Sequence, residues 1–181
     1  MSVRKTVEIR SIVYAAVCLS LCLVLPLLTG NIPSIGVQFA PMHFPVLLCG
    51  FISGPLWGGI VGFVAPLLRN LTFGAPQIYP QAVRMAVELC VYGAAAGLFY
   101  RYLPKRPFGI YCSLLCAQFF GRVAWGVAQF FLSLFDRSNP FYLEFIVAQT
   151  VSNSLYGIAI QLLLIPPLVI ALQRARLISK Y

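Results

Sequence analysis

Three apolar stretches of this chain each carry a row of mostly polar or aromatic side chains at helical spacing. The rows are Gln81, Arg84, Glu88 and Tyr92; then Gln118, Arg122, Trp125 and Gln129; and then Gln149, Asn153, Tyr156 and Ile160. Residues at i, i+3 or i+4, i+7 and i+11 lie along one face of a helix. In lipid such faces turn inward, so we expect the rows to converge on one site.

Arg84, Glu88 and Arg122 are the charges that this site has to accommodate. A charge at mid-membrane costs about 2.5–3.5 kcal/mol on insertion scales. Arg84 and Glu88 are one helical turn apart and neutralise each other in part, whereas Arg122 has no partner on its own helix. Guanidinium groups hold carboxylates and phosphates bidentately. Together with Arg69, these arginines therefore favour an anionic ligand, and Glu88 suits a ligand amine or hydroxyl.

The candidate substrate-binding residues share inward helix faces or flank them. They are Arg84, Glu88, Arg122, Trp125, Gln129, Gln149, Asn153, Tyr79, Gln81 and Tyr156. Aromatic walls with few directed polar groups are typical of a small-molecule pocket. The alternative is structural, because inward Gln, Asn and Tyr side chains also cross-link helices at about 0.6 kcal/mol each. Whether Arg69, His43 and Gln38 line the pocket stays open.

The other residue types favour neither catalysis nor a metal. His43, the one histidine, does not complete a zinc site by itself, and the six cysteines include no C-x-x-C pair. No H-E-x-x-H and no G-x-x-x-x-G-K-S/T phosphate loop occurs. We therefore expect no catalytic residue, no metal and no cofactor, with any ATP hydrolysis in separate subunits. An intramembrane enzyme with Glu88 as its base is the less favoured alternative.

The elements that must position these residues are membrane helices. Of the 181 residues, 60% are hydrophobic and 9% charged, against about a quarter charged in soluble domains. The net charge of +9 would suggest nucleic acid in a soluble protein. Here the basic residues cluster beside apolar runs, which is typical of cytoplasmic segments. We therefore expect a lipid environment, cytoplasmic N- and C-termini and no nucleic-acid partner.

The sequence predicts an all-α, six-helix transmembrane bundle that forms one integral membrane domain over residues 1–181. The predicted spans are about 11–29, 42–54, 56–73, 81–100, 108–134 and 141–172. Gly54-Pro55 divides a stretch that is too long for one span, and Pro166-Pro167 interrupts the last helix. In this topology the site opens to the outside, with Glu88, Arg122 and Trp125 near mid-membrane.

Glycines recur at four-residue spacing on two of the predicted helices. Gly54, Gly58 and Gly62 form one row, and Gly93 and Gly97 form a second. Small residues at this spacing let another helix backbone approach closely. We therefore interpret both rows as packing surfaces.

The stretches APMHFPVLLCGFISGPLWGGIVGFVAPLL and FGAPQIYPQAVRMAVELCVYGAAAGLFYRYLP resemble the substrate-binding S components of energy-coupling factor (ECF) vitamin transporters. The P-x-x-x-x-G-x-x-x-G-P block at 45–55 and the G-x-x-x-G of the fourth helix carry the resemblance, which covers most of the chain. It implies a pocket in the outer half among helices four to six, closed by the first outer loop. It also implies a vitamin ligand, a membrane scaffold (T) subunit and two ATPase subunits, in a prokaryotic plasma membrane.

In that family an A-x-x-x-A motif on helix one docks the scaffold, and Ala16 and Ser20 stand nearest to it here.

The arginines favour an anionic substrate such as pantothenate, niacin or a folate-like compound, while riboflavin stacked on Trp125 stays open. A small channel or structural membrane subunit is the main alternative. A continuous polar path through the inner half would favour this alternative, and Gln118 and Gln161 are the residues that suggest such a path.

Overall fold

The computed structural model describes residues 2–28, 41–104, 106–135 and 155–175, with the side chains of 2–8, 28, 135, 155 and 156 left out. These residues form six α-helices and no strand. The helices are α1 Ser2–Leu28, α2 His43–Ser53, α3 Pro55–Phe73, α4 Val83–Tyr102, α5 Pro107–Phe135 and α6 Leu155–Arg174. All except α2 carry a segment long and apolar enough to cross a membrane. The predicted all-α membrane bundle is thus confirmed, while the orientation of its termini stays a prediction.

The short helix α2 ends at Ser53, and Gly54 follows it at the position where the sequence predicts a break. Gly54 has φ 88° and ψ 178°, a backbone conformation that glycine adopts without the steric cost of a Cβ. Pro55 is the first residue of α3, a position where its missing N–H costs no helical hydrogen bond. With 11 residues, α2 is only about 16 Å long. It therefore reaches about halfway across the hydrocarbon layer of about 30 Å.

Helix α4 is the centre of the bundle and packs against α2, α3 and α5. Glycines allow this packing. A Cβ on Gly58 would lie 2.6 Å from the carbonyl oxygen of Gly93 and 2.8 Å from the Cα of Gly50, and one on Gly62 would overlap the carbonyl of Leu89. The backbones of three helices are therefore in direct contact, as the glycine rows of the third and fourth helices predict. Gly54 has a different role from the one expected, because a Cβ there would meet nothing within 4 Å.

Two helices differ from their predicted extent. Helix α1 begins at Ser2, ahead of the predicted span 11–29, because its charged first turns contain Arg, Lys and Glu, which are good helix formers. Helix α6 continues through Pro166 and Pro167, so the expected interruption there is wrong. Membrane helices tolerate proline where neighbouring groups satisfy the freed backbone. The predicted segment 141–154 lies outside the described residues.

We predict that Gly62→Ala destabilises the protein, whereas Gly59→Ala does not. Overpacking of a close interface costs about 1–3 kcal/mol, which corresponds to about 2–4 °C in melting temperature for each kcal/mol in a chain of this size. Gly59 is the matched control, because a Cβ there would make ordinary contacts at 3.5 Å and beyond. Thermal unfolding of both variants in detergent checks this; equal melting temperatures would contradict the backbone contact at Gly62.

Candidate functional site

Helices α4 and α5 face each other with their polar rows in register. Arg84 on α4 donates a hydrogen bond to the side-chain oxygen of Gln129 on α5. Farther along α4, Glu88 lies against Arg122, and Tyr92 lies against Gly121. Residue numbers rise along α4 as they fall along α5, so the two helices are antiparallel. The charged parts of the two predicted rows therefore meet, and their charges lie between the helices.

Glu88 is the centre of a polar group that consists of His43, Arg84, Glu88, Tyr92, Arg122 and Gln129. It is 3% exposed, and its Oε1 lies 3.0 Å from Nη1 of Arg122. The same oxygen lies 3.7 Å from Nε2 of His43 on α2, which is too long for a hydrogen bond. The sequence interpretation gives Arg84 as the partner that neutralises Glu88 in part. In the structure the ion-pair contact of Glu88 is with Arg122, across the helix interface.

Tyr92 lies one helical turn after Glu88 on α4 and packs against His43 and Gly121. Its ring packs edge-on against the His43 ring, with 5.2 Å between ring centroids, and the residue is 1% exposed. A Cβ on Gly121 would lie 2.6 Å from the Tyr92 ring. Glycine at this position of α5 therefore makes room for the tyrosine, and the tyrosine supports the imidazole of His43.

Arg84 has a different environment from that of Arg122. Its guanidinium lies over the ring of Trp125, 5.9 Å from the centroid, and donates to the neutral amide of Gln129. Among the described residues, no carboxylate forms an ion pair with Arg84, although Glu88 is near enough to interact with it electrostatically. Arg84 is thus a half-buried cation held by neutral groups.

Unsatisfied polar atoms concentrate in this region. Within the described residues, six buried side-chain nitrogen and oxygen atoms have no hydrogen-bond partner. Five of them belong to neighbouring residues: Nδ1 and Nε2 of His43, Nε of Arg84, Oε1 of Glu88 and Nε of Arg122. Of these five, Oε1 of Glu88 still has its ion-pair contact with Nη1 of Arg122. A buried polar group without a partner costs about 1–3 kcal/mol. Because nearly all buried polar groups in proteins have a partner, their grouping on three helices makes this region the candidate binding site.

Arg69 belongs to the framework of the protein. It is buried near the end of α3, and its Nε donates to the carbonyl of Ala75 at 3.2 Å. Its Nη1 lies 3.5 Å from the carbonyl oxygen of Leu23 on α1. Asn70 holds the same connection by donating to the carbonyl of Pro76 at 2.6 Å. The Arg69 guanidinium therefore ties α1 and α3 to the segment that leads into α4.

The remaining predicted residues lie at the edges of the site or outside the described part. Tyr79 and Gln81 are exposed in the π-helical turn Ile78–Ala82 before α4, and Tyr79 is near enough to interact electrostatically with Arg84. Gln38, Gln149 and Asn153 lie outside the described residues, as does the side chain of Tyr156. Ala16 and Ser20 are exposed on α1, where the Ser20 hydroxyl donates to the carbonyl of Ala16 at 3.0 Å.

Two residues of this polar group are missing from the sequence-based site. Tyr92 stands in the row of Glu88, so its spacing was a usable signal, but a tyrosine in a helix also fits ordinary packing. His43 has no spacing signal, because it comes from α2 and only the packing of α2 on α4 brings it to Glu88. The described residues contain no group of three His, Cys, Asp or Glu side chains that could hold a metal.

We predict that Glu88 and Arg122 are energetically coupled. Removing one member of a fully buried pair costs about 3–5 kcal/mol, and less here because the Arg122 side chain keeps 23% exposure. Glu88→Gln and Arg122→Gln should each lower the melting temperature in detergent, and the double variant should be more stable than the two losses added together. A coupling energy of about 0.5–3 kcal/mol is expected; additive losses would show that the pair is not formed.

Comparison with known families identifies the chain. Residues 10–169 match the family described as ECF transporter, substrate-specific component, while comparisons with curated proteins and with solved structures found no significant match. The match covers most of the chain and agrees with its apolar helices and with the resemblance of its sequence. The chain therefore belongs to the substrate-specific components of ECF transporters, which are multi-pass, substrate-binding subunits of prokaryotic cell membranes and not enzymes themselves.

Proposed function

We propose that this chain captures an anionic, water-soluble micronutrient outside the cell and that Arg84 binds the negative group of that substrate. The observation that carries this proposal is the environment of Arg84, a cation between two membrane helices that contacts a neutral amide and an indole ring. A charge at membrane depth costs free energy unless an opposite charge compensates it. A carboxylate or phosphate would compensate it with charge-assisted hydrogen bonds.

The three arginines of the predicted anion site have separate roles in this proposal. Arg69 donates to backbone carbonyls, and Arg122 is engaged by Glu88. Arg84 alone of the three lacks both a carboxylate contact and a partner for its Nε among the described residues. The anionic group of a substrate therefore gains most at Arg84.

The rest of the substrate lies, in this proposal, along the aromatic groups around Arg84. The indole of Trp125 presents an apolar surface beside the guanidinium, and Tyr79 and Gln81 are exposed next to it. Gln149, Asn153 and Tyr156 remain predicted contributors from the last helix. Pantothenate, niacin and folate-like compounds fit this arrangement better than riboflavin, because a neutral ring system would leave Arg84 without a counter-charge.

We further propose that import depends on the partners that the family implies, a membrane scaffold (T) subunit and two ATPase subunits, with both termini in the cytoplasm. The face of α1 that turns away from α2 and α3 exposes Ala16 and Ser20. Small residues leave room for a second helix to approach, which supports docking of the scaffold there. In lipid, apolar residues such as Val13 and Val24 flank this position.

The alternative of a channel needs polar groups that line a path through the inner half. Gln118 on α5 and Gln161 on α6 are buried and bond to each other, with Nε2 of Gln118 3.0 Å from Oε1 of Gln161. They therefore use their hydrogen-bonding capacity to join two helices. This supports a closed inner half and favours capture of a solute over free passage.

We predict that Arg84→Gln weakens substrate binding by at least tenfold, which corresponds to about 1.4 kcal/mol. The substrate comes from a calorimetric screen of pantothenate, nicotinate, folate and riboflavin on purified protein without ATP, together with mass spectrometry of co-purified small molecules. Arg101→Gln is the control, since Arg101 is exposed in the last turn of the same helix. Binding that is unaffected by Arg84→Gln, or no binding and no co-purified compound, would contradict the proposal.

We predict that Ala16→Trp reduces co-purification with the scaffold and ATPase subunits but leaves substrate affinity unchanged. The indole would occupy the space into which a partner helix has to fit. Leu21→Trp is the control, because Leu21 is also exposed but lies about 140° around the helix from Ala16. Equal losses in both variants, or an intact complex with Ala16→Trp, would contradict docking at this position.

A further inference from the structure

We propose that His43, Glu88 and Arg122 form a second substrate subsite, which binds an uncharged hydroxyl or amide group of the substrate whose anionic group lies at Arg84. This inference rests on the proposed function. It extends the binding site from α4 and α5 to α2 and defines the substrate class as a carboxylate or phosphate that also carries a hydroxyl or an amide.

Unsatisfied buried atoms point to a ligand at this position. Both ring nitrogens of His43 and Nε of Arg122 are buried without a hydrogen-bond partner, and His43 is 7% exposed. Glu88 is 3% exposed, and its Oε1 contacts Nη1 of Arg122 at 3.0 Å. The distance of 3.7 Å between Nε2 of His43 and Oε1 of Glu88 means that the two groups do not satisfy each other. Burial of such groups is costly, and substrate atoms that bond to them recover this cost.

The charge of this pair favours an uncharged group. Glu88 and Arg122 form an ion pair with 3.0 Å between Oε1 and Nη1, so together they carry no net charge. An anionic group placed at the subsite would be repelled by Glu88, and a cationic group there would be repelled by Arg122. An uncharged polar group avoids both penalties. The subsite therefore differs from Arg84, whose charge has no carboxylate contact among the described residues.

The hydrogen bonds that these side chains can form also favour a hydroxyl or an amide. A carboxylate oxygen accepts, the guanidinium Nε donates, and a neutral imidazole does one with each nitrogen. A hydroxyl group, or an amide with its N–H and C=O, both donates and accepts and so matches all three partners. A group that only accepts could not form a hydrogen bond with the Glu88 oxygen.

The spacing of Arg84 and Glu88 sets the distance between the two groups of the substrate. Arg84 and Glu88 are one helical turn apart on α4, which is a rise of about 6 Å along the helix axis. A substrate that uses both positions therefore carries its hydroxyl or amide about that far from its anionic group. Tyr92 closes the deep side of the subsite, because its ring packs on His43 and fills the space beside Gly121.

The test compares compounds that differ in these groups. Pantothenate and folate carry carboxylates together with hydroxyl or amide groups, nicotinate carries a carboxylate with neither, and riboflavin carries hydroxyls without an anionic group. Calorimetry should give tightest binding for pantothenate or folate. His43→Phe should weaken that binding at least tenfold and leave the affinity for nicotinate within about twofold. Ser113→Ala is the control, since Ser113 is a buried polar residue of α5 that bonds to the carbonyl of Gly109.

A second measurement uses the unmodified protein. The chain has one histidine, so labelling with ¹⁵N-histidine gives ring signals of His43 alone. Saturating pantothenate or folate, whichever binds, should shift both ring nitrogens, and nicotinate should shift them less. This readout does not require a variant to fold.

The outcomes separate the two proposals. Tightest binding of nicotinate, or tight binding of pantothenate or folate with unmoved His43 signals and unchanged affinity in His43→Phe, would overturn the subsite and leave the anion at Arg84 standing. Equal weakening of nicotinate by His43→Phe would reduce His43 to a structural role and overturn the subsite too. Binding of riboflavin alone, or of none of the four compounds, would overturn the anion at Arg84 and the subsite with it.

Discussion

The backbone contact between α4 and the pair α2–α3 is the constraint on which the rest of the structure depends. Gly58 and Gly62 on α3, Gly93 on α4 and Gly50 on α2 leave no room for side chains between these helices. In a bilayer, where helices gain little from the hydrophobic effect, such close packing is a main source of association. Because α2 is held this close, its first residue, His43, reaches Glu88.

The close packing of the helices brings the polar group together. Burying that group costs free energy, which opposes the association of the helices. Charged and polar side chains between membrane helices cost free energy, and the Glu88–Arg122 pair offsets only part of that cost because neighbouring atoms remain without partners. The glycine contacts stabilise a bundle that tolerates these groups. Binding sites commonly use such unsatisfied but rigidly held groups, since a substrate that bonds to them pays little for ordering the protein.

In the proposed site, the two arginines divide recognition between charge and hydrogen bonding. Arg122 is neutralised within the protein, and it thereby fixes the carboxylate of Glu88 in the membrane interior. Arg84 lies over Trp125 and bonds to Gln129, so its charge is positioned but not cancelled. A substrate-specific component that needs both kinds of contact can distinguish micronutrients that share a carboxylate but differ in the groups around it.

The sequence by itself determined the membrane class, the described helices and the facing sides of α4 and α5, because hydropathy and a period of 3.6 residues are local properties that lipid enforces on any apolar helix. It also located the break at Gly54, since glycine and proline act on their own backbone. Only the tertiary structure decided which charges pair, because Arg84 is the neighbour of Glu88 along the helix but Arg122 is its neighbour across the interface. Only the tertiary structure likewise showed that backbone carbonyls bind Arg69 and that His43 lies beside Glu88. Contacts between residues far apart in the sequence produce no periodic pattern from which they could be predicted.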